Sequence, residues 1–113
     1  IKQLYDRYDL PDMYITENGA CYNMEPVDGV VDDAPRTEYL SEHISVCADL
    51  IDAGIPLKGY YAWSLMDNFE WAEGYRMRFG LVHVDYETQE RTIKDSGKWY
   101  KALAETFGEN EEA

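Results

Sequence analysis

The chain has 113 residues, with 10 Lys and Arg against 23 Asp and Glu and a net charge of −13. That balance excludes partners read through positive patches, nucleic acid and anionic membrane surfaces among them, and a hydrophobic share of 45% excludes a disordered polar chain. The length allows one small domain with a modest core.

The first residues read as helix. Ile1, Leu4, Tyr5 and Tyr8 fall at i, i+3, i+4 and i+7, the spacing of one apolar helix face. The chain begins at Ile1 with no capping residue before it, so the expectation is a piece of something longer that opens partway through a helix. Asp9 to Asp12 form a loop, since Pro11 disfavours helix at Leu10. Met13 to Thr16 suit a short buried strand running into Glu17. Asn18-Gly19 is expected to break that strand with a left-handed turn, which both residue types tolerate. Residues 18–33 are irregular, polar and acidic, and a loop of that length inside a domain is usually functional.

A helix is expected from about Pro35 to Ala53. Asp32 and Asp33 suit its positive N-terminal end and Pro35 its first turn. Leu40, Ile44, Cys47, Leu50 and Ile51 share one face, and Gly54 should end the helix in a left-handed conformation before Pro56. Leu57 to Ser64 then reads as a strand. Strand, helix and strand in that order form a βαβ unit, so the two strands should be parallel and end at one rim. Residues 65–80 mix large rings with carboxylates and amides and show no helical stripe, as a ligand-binding loop would. Leu81 to Tyr86, a turn at Glu87 to Glu90, and Arg91 to Ile93 read as a small hairpin. Asp95-Ser96 should cap a last helix to about Phe107, with Trp99, Leu103 and Phe107 as its core stripe. Gly108 is expected to stop it, leaving Glu109 to Ala113 as a frayed end.

Glu17 is the first candidate for chemistry, because catalytic groups of α/β barrels sit at the C-terminal ends of strands. Glu70-Trp71 is the second. A carboxylate can accept two neighbouring hydroxyls, and an indole offers a donor or a stacking face. Each has a plainer reading. Glu17 suits a solvated or paired surface position, Trp63 suits core as well as pocket wall, and Glu70 and Trp71 suit a salt bridge and packing. His43 and His83 lack metal-ligand spacing.

Ile15-Thr16-Glu17-Asn18-Gly19 resembles the nucleophile motif of glycoside hydrolase family 1, the β-glucosidases. The run from Gly59 to Trp71, Gly-Tyr-Tyr-Ala-Trp-Ser-Leu-Met-Asp-Asn-Phe-Glu-Trp, resembles that family's second signature. Phe79-Gly80-Leu81, Val84-Asp85-Tyr86, Thr92, Lys94, Ser96 and Trp99-Tyr100 continue the likeness, which spans essentially the whole chain and is strongest to bacterial β-glucosidases. The resemblance implies an α/β fold in which residues 1–113 are the C-terminal portion of a single TIM (β/α)8 barrel domain, its last two βα units. It implies a retaining β-glucosidase acting on terminal β-linked glucose, with galactose or fucose as further candidates. Glu17 would be its nucleophile. Glu70 would hold the hydroxyls at carbons 4 and 6, and Trp71 the hydroxyl at carbon 3. Trp63 would lie beneath the ring and Phe79 would line the pocket. No metal or organic cofactor is implied.

A retaining glycosidase needs a second carboxyl group about 5 Å from the first. The family carries it in a Thr-Xaa-Asn-Glu-Pro type motif on an earlier strand. No Asn-Glu-Pro occurs here, and Glu25-Pro26 follows Met24 in a loop. The expected partners are therefore a β-glucoside or oligosaccharide substrate, and either the missing N-terminal part of the barrel or a second copy paired through exposed strand edges. Two other readings stand beside this one. One is a catalytically silent fragment that binds sugar in part or self-associates; the other is an ordinary α/β domain with chance likeness. Cys21 and Cys47 form no disulfide framework, and no apolar run reaches membrane length. The expected setting is cytoplasmic.

Overall fold

The computed structural model describes residues 1–112, with side chains over 1–107. Helix α1 (Lys2–Arg7) leads into strand β1 (Met13–Asn18), helix α2 (Ala34–Asp52) and strand β2 (Leu57–Ala62). A single 3-10 turn (Trp71–Glu73) interrupts the long loop after β2. Strands β3 (Val82–Val84) and β4 (Arg91–Ile93) precede helix α3 (Asp95–Glu112). β1 and β2 pair in parallel with α2 as the crossover, as expected of a βαβ unit. β3 and β4 pair antiparallel as a hairpin. Among the described residues, no helix is long and apolar enough to cross a membrane.

β1 is two residues longer than its apolar stretch implies, and none of its residues is buried. β2 ends at Ala62, but its chain continues to pair. Leu81 and Val82 donate to the carbonyls of Ser64 and Leu65, and Asp67 donates to Val82, so the segment after β2 is laid against the approach to β3. Gly54 is left-handed at φ 88°, as its place after α2 requires. Asn18 and Gly19 are not among the left-handed residues, contrary to expectation. Gly19 serves another end. A Cβ there would lie 1.8 Å from the Trp63 carbonyl oxygen, so only glycine lets the two strand ends close up.

The apolar core is small: Val31, Leu40, Cys47, Ile55, Leu57, Leu81 and Val84. The largest fully buried side chains are Arg36 and Lys94. Charge, not only grease, therefore fills the interior, and each buried charge must find partners to offset its lost hydration. Asp33 is an example. It precedes α2, but its side chain makes no cap; Asp32 Oδ1 reaches the Ala34 amide instead. Asp33 accepts from the Ser96 amide at 2.8 Å, from the Ser96 hydroxyl at 2.5 Å, and from Arg36. Ser96 is thus a buried tie between the starts of α2 and α3 and not a helix cap. α3 runs past Gly108 to Glu112, where an end was expected. Ala113 and the side chains of the expected acidic end lie outside the described residues. Ile51 and Phe107, both expected in the core, are over half exposed at an open apolar groove between α2, β2 and α3.

Candidate active site

Glu17 sits near the C-terminal end of β1, where the strand is irregular. Ile15 is opposite Tyr60 and Asn18 is opposite Ala62, so Thr16 and Glu17 together face the single residue Tyr61. The extra residue breaks the alternation of the strand, and both Thr16 and Glu17 are exposed. Such bulges turn a side chain out of the direction the pleat would give it. Asn18 then re-enters the ladder. Its carbonyl accepts from the Trp63 amide at 2.7 Å, and its side chain accepts from the Tyr60 hydroxyl at 2.6 Å and donates to Tyr39 at 3.3 Å. The residue after Glu17 is therefore held from three sides.

The second group grows from the end of β2 at the same rim. Trp63 Nε1 donates to Glu70 Oε1 at 3.1 Å, which orients one carboxylate oxygen. The Glu70 amide donates to Gly74 at 2.7 Å, closing the tight turn that presents Trp71. Trp71 is left-handed at φ 47° and 83% exposed. Trp71, Phe69, Tyr75 and Tyr86, in that order, form a chain of ring contacts with centroids between 4.7 and 6.4 Å apart. Phe79 returns at the foot of this loop, where its carbonyl accepts from the Ser64 amide.

The loops after β1 and β2 are bonded to each other. The Tyr22 amide donates to Arg78, Asn23 Nδ2 donates to Arg76 at 2.8 Å, and the Arg78 amide donates back to Asn23 at 2.9 Å. Arg36 reaches from α2 to the carbonyls of Tyr22 and Arg78 at 2.8 and 2.9 Å. Beneath them, Asp67 accepts from Arg78 and Lys94. Burial pushes the Asp67 carboxyl up, but bonds from Lys94 and Arg78 outweigh it and hold it below the usual carboxylate range. Burial pulls Lys94 below its ordinary value against the opposing bond from Asp67.

Of the five residues singled out in the sequence, Trp63 and Glu70 are joined by a side-chain hydrogen bond, and the other three are placed near them by the run of the chain. Glu17 adjoins Asn18, Asn18 binds Trp63, Trp63 binds Glu70, and Trp71 and Phe79 belong to the same loop. Sequence reasoning missed the supporting roles of Tyr39, Tyr60, Arg36, Asp67 and Lys94. Arg36 and Lys94 carried a faint signal, as cations on or beside otherwise apolar faces. Among the described residues no cluster of three or more His, Cys, Asp or Glu could hold a metal. His83 is buried, with Nε2 3.4 Å from Glu25.

The family model described as glycosyl hydrolase family 1 matches residues 1–109. A β-glucosidase from an Agrobacterium species is 68% identical over 107 residues, which cover 95% of this chain and 23% of that protein. The solved structure of virulence factor SghA from Agrobacterium tumefaciens is 71% identical with a TM-score of 0.89, over 91% of this chain and 23% of that one. SghA has also been solved with its substrate analogue salicin. A family 1 β-glucosidase from Thermotoga maritima is 51% identical with a TM-score of 0.89, over 92% of this chain and 24% of that one. The chain spans about a quarter of the length of these relatives.

Proposed function

The chain belongs to glycosyl hydrolase family 1 and forms part of a TIM barrel, and from that premise we propose that it supplies the attacking carboxylate and the sugar-gripping loop of a retaining β-glucosidase. Glu17 attacks the anomeric carbon of a terminal β-glucosyl residue. A carboxylic acid carried outside residues 1–113 protonates the leaving oxygen. The resulting glycosyl ester on Glu17 is hydrolysed by water, with the same outer residue now acting as base, so the anomeric configuration is retained. Glu70 accepts the hydroxyls at carbons 4 and 6, Trp71 binds the hydroxyl at carbon 3, Trp63 lies beneath the ring, and Phe79 lines the pocket.

One observation carries this reading. Parallel pairing brings Glu17 and Trp63 to a common rim, and the Trp63 indole ties Glu70 to it. That bond occupies one lone pair of one Glu70 oxygen and leaves the others for two neighbouring hydroxyls. The relative solved with salicin supports a glucoside as ligand. Two free cysteines, one of them buried, support a reducing, cytoplasmic setting.

The test is hydrolysis of an aryl β-glucoside by the complete gene product, with NMR of the first sugar anomer released. The β-anomer is expected first. Glu17→Gln should lower kcat on the order of 10⁴-fold or more. Release of the α-anomer, or activity that survives Glu17→Gln, would overturn the assignment. Residues 1–113 contain no Asn-Glu-Pro, which favours the silent reading for the piece on its own. The chain 1–113 expressed alone should show no turnover.

A further inference from the structure

The loop that carries Glu70, Trp71 and Phe79 departs at Asp67 and returns at Gly80, and one side chain holds its two ends together. Asp67 Oδ1 accepts from the Gly80 amide at 3.0 Å and from Lys94 Nζ at 2.8 Å. Asp67 Oδ2 accepts from Arg78 Nη1 at 2.7 Å and from the Val84 amide at 3.3 Å. The Asp67 side chain is fully buried, with that of Lys94 1% and that of Arg78 13% exposed. Every donor belongs to this chain, so the arrangement is complete without any other segment. The fit is also tight. A Cβ at Gly80 would lie 2.2 Å from the Asp67 nitrogen and 2.8 Å from Oδ1.

We propose that Asp67 is a positioning residue for sugar recognition: it sets the spacing between Glu70-Trp71 and Phe79, and through it how strictly the hydroxyls at carbons 4 and 6 are read. The inference rests on the proposed reading of Glu70 as the sugar-binding carboxylate. Glu70 has two tethers, Asp67 at the foot of its loop and the Trp63 indole at its carboxylate. If the first loosens, the second no longer points the free oxygen at a defined place. An isosteric change exposes this dependence. In Asp67→Asn the new NH2 group meets donors in either orientation, Gly80 and Lys94 on one side or Arg78 and Val84 on the other. Donor against donor forces the foot of the loop apart without changing its volume.

The experiment measures kcat/KM of the complete gene product for an aryl β-glucoside and for its 4-deoxy and 6-deoxy counterparts. All three are run on one enzyme sample, so the folded fraction cancels from their ratios. Wild type should favour the glucoside, and Asp67→Asn should shrink that preference on the order of tenfold, chiefly by weakening the glucoside. Arg78→Lys keeps a cation for Oδ2 but gives up the bond from Arg78 to the Val84 carbonyl. It should shrink the preference severalfold, and it carries the test if the asparagine variant does not fold. A lowered melting temperature with unchanged preference in either folded variant would make Asp67 a structural clamp and overturn the proposal. Wild type that fails to hydrolyse the glucoside at all, or a Glu17→Gln variant that still does, would instead strike the functional reading beneath it.

Discussion

Asp67 places a negative charge where no water reaches it, and it remains charged because Lys94 and Arg78 are there to meet it. Its carboxyl is held below the usual range, so the sign of its linkage follows. A group whose folded pKa lies under its unfolded value of about 3.9 contributes stability above that pH and loses it as the pH falls through the folded value. Asp67→Asn should lower stability at neutral pH by about 3 kcal/mol, since the buried Lys94 and the largely enclosed Arg78 lose their carboxylate partner. The gap between the melting temperatures of wild type and variant should narrow as the pH drops below about 4. A gap that stays constant to acid would show that the carboxylate charge is not what stabilises the site. At this scale the candidate residues were legible as candidates, because Glu17, Trp63, Glu70, Trp71 and Phe79 lie in motifs that read along the chain. The partners of Asp67 were not. Arg78 and Lys94 are 11 and 27 residues away, and a carboxylate among aromatics does not disclose that it will be enclosed.

Strands β1 and β2 show what a strand pattern can and cannot tell. Tyr14-Ile15-Thr16 marks a strand, and Leu57 onwards marks its parallel partner. The bulge that turns Glu17 outward could not be read, because register belongs to the pair and not to either strand. Gly19 was expected for its left-handed freedom and is instead required for close approach to Trp63. The distinction can be measured. Gly19→Ala adds a methyl group 1.8 Å from the Trp63 carbonyl oxygen, so it should destabilise by about 2 kcal/mol or more and depress glucoside hydrolysis. A variant that melts with wild type would mean that the strand ends stand further apart. Asp33 and Ser96 misled for a related reason. Each sits where helices begin, and local chemistry predicts caps. Tertiary structure used the same side chains to tie one helix start to the other across 63 residues.

The order of elements and the βαβ core followed from periodicity and turn residues, and the barrel followed from the motifs. What the whole molecule adds is an account of incompleteness. The parallel pair β1–β2 keeps both outer edges unpaired among the described residues, whereas β3 is met on its other side by the segment after β2 at Met66, and Tyr14 and Tyr61 on the parallel strands are more than half exposed. Such edges and faces seek partners. A chain that spans about a quarter of its relatives can bring one carboxylate and the loop proposed to bind sugar to a rim, but the proposed retaining mechanism needs two carboxyl groups about 5 Å apart. The central claim is that Glu17 forms the bond to the sugar, and it can be tested at that atom. The complete gene product is treated with an aryl 2-deoxy-2-fluoro-β-glucoside, which forms the glycosyl ester quickly and releases it slowly, and the labelled peptide is sequenced by mass spectrometry. One equivalent of label on Glu17, with loss of activity in step, is the predicted result; label on any other residue would contradict it.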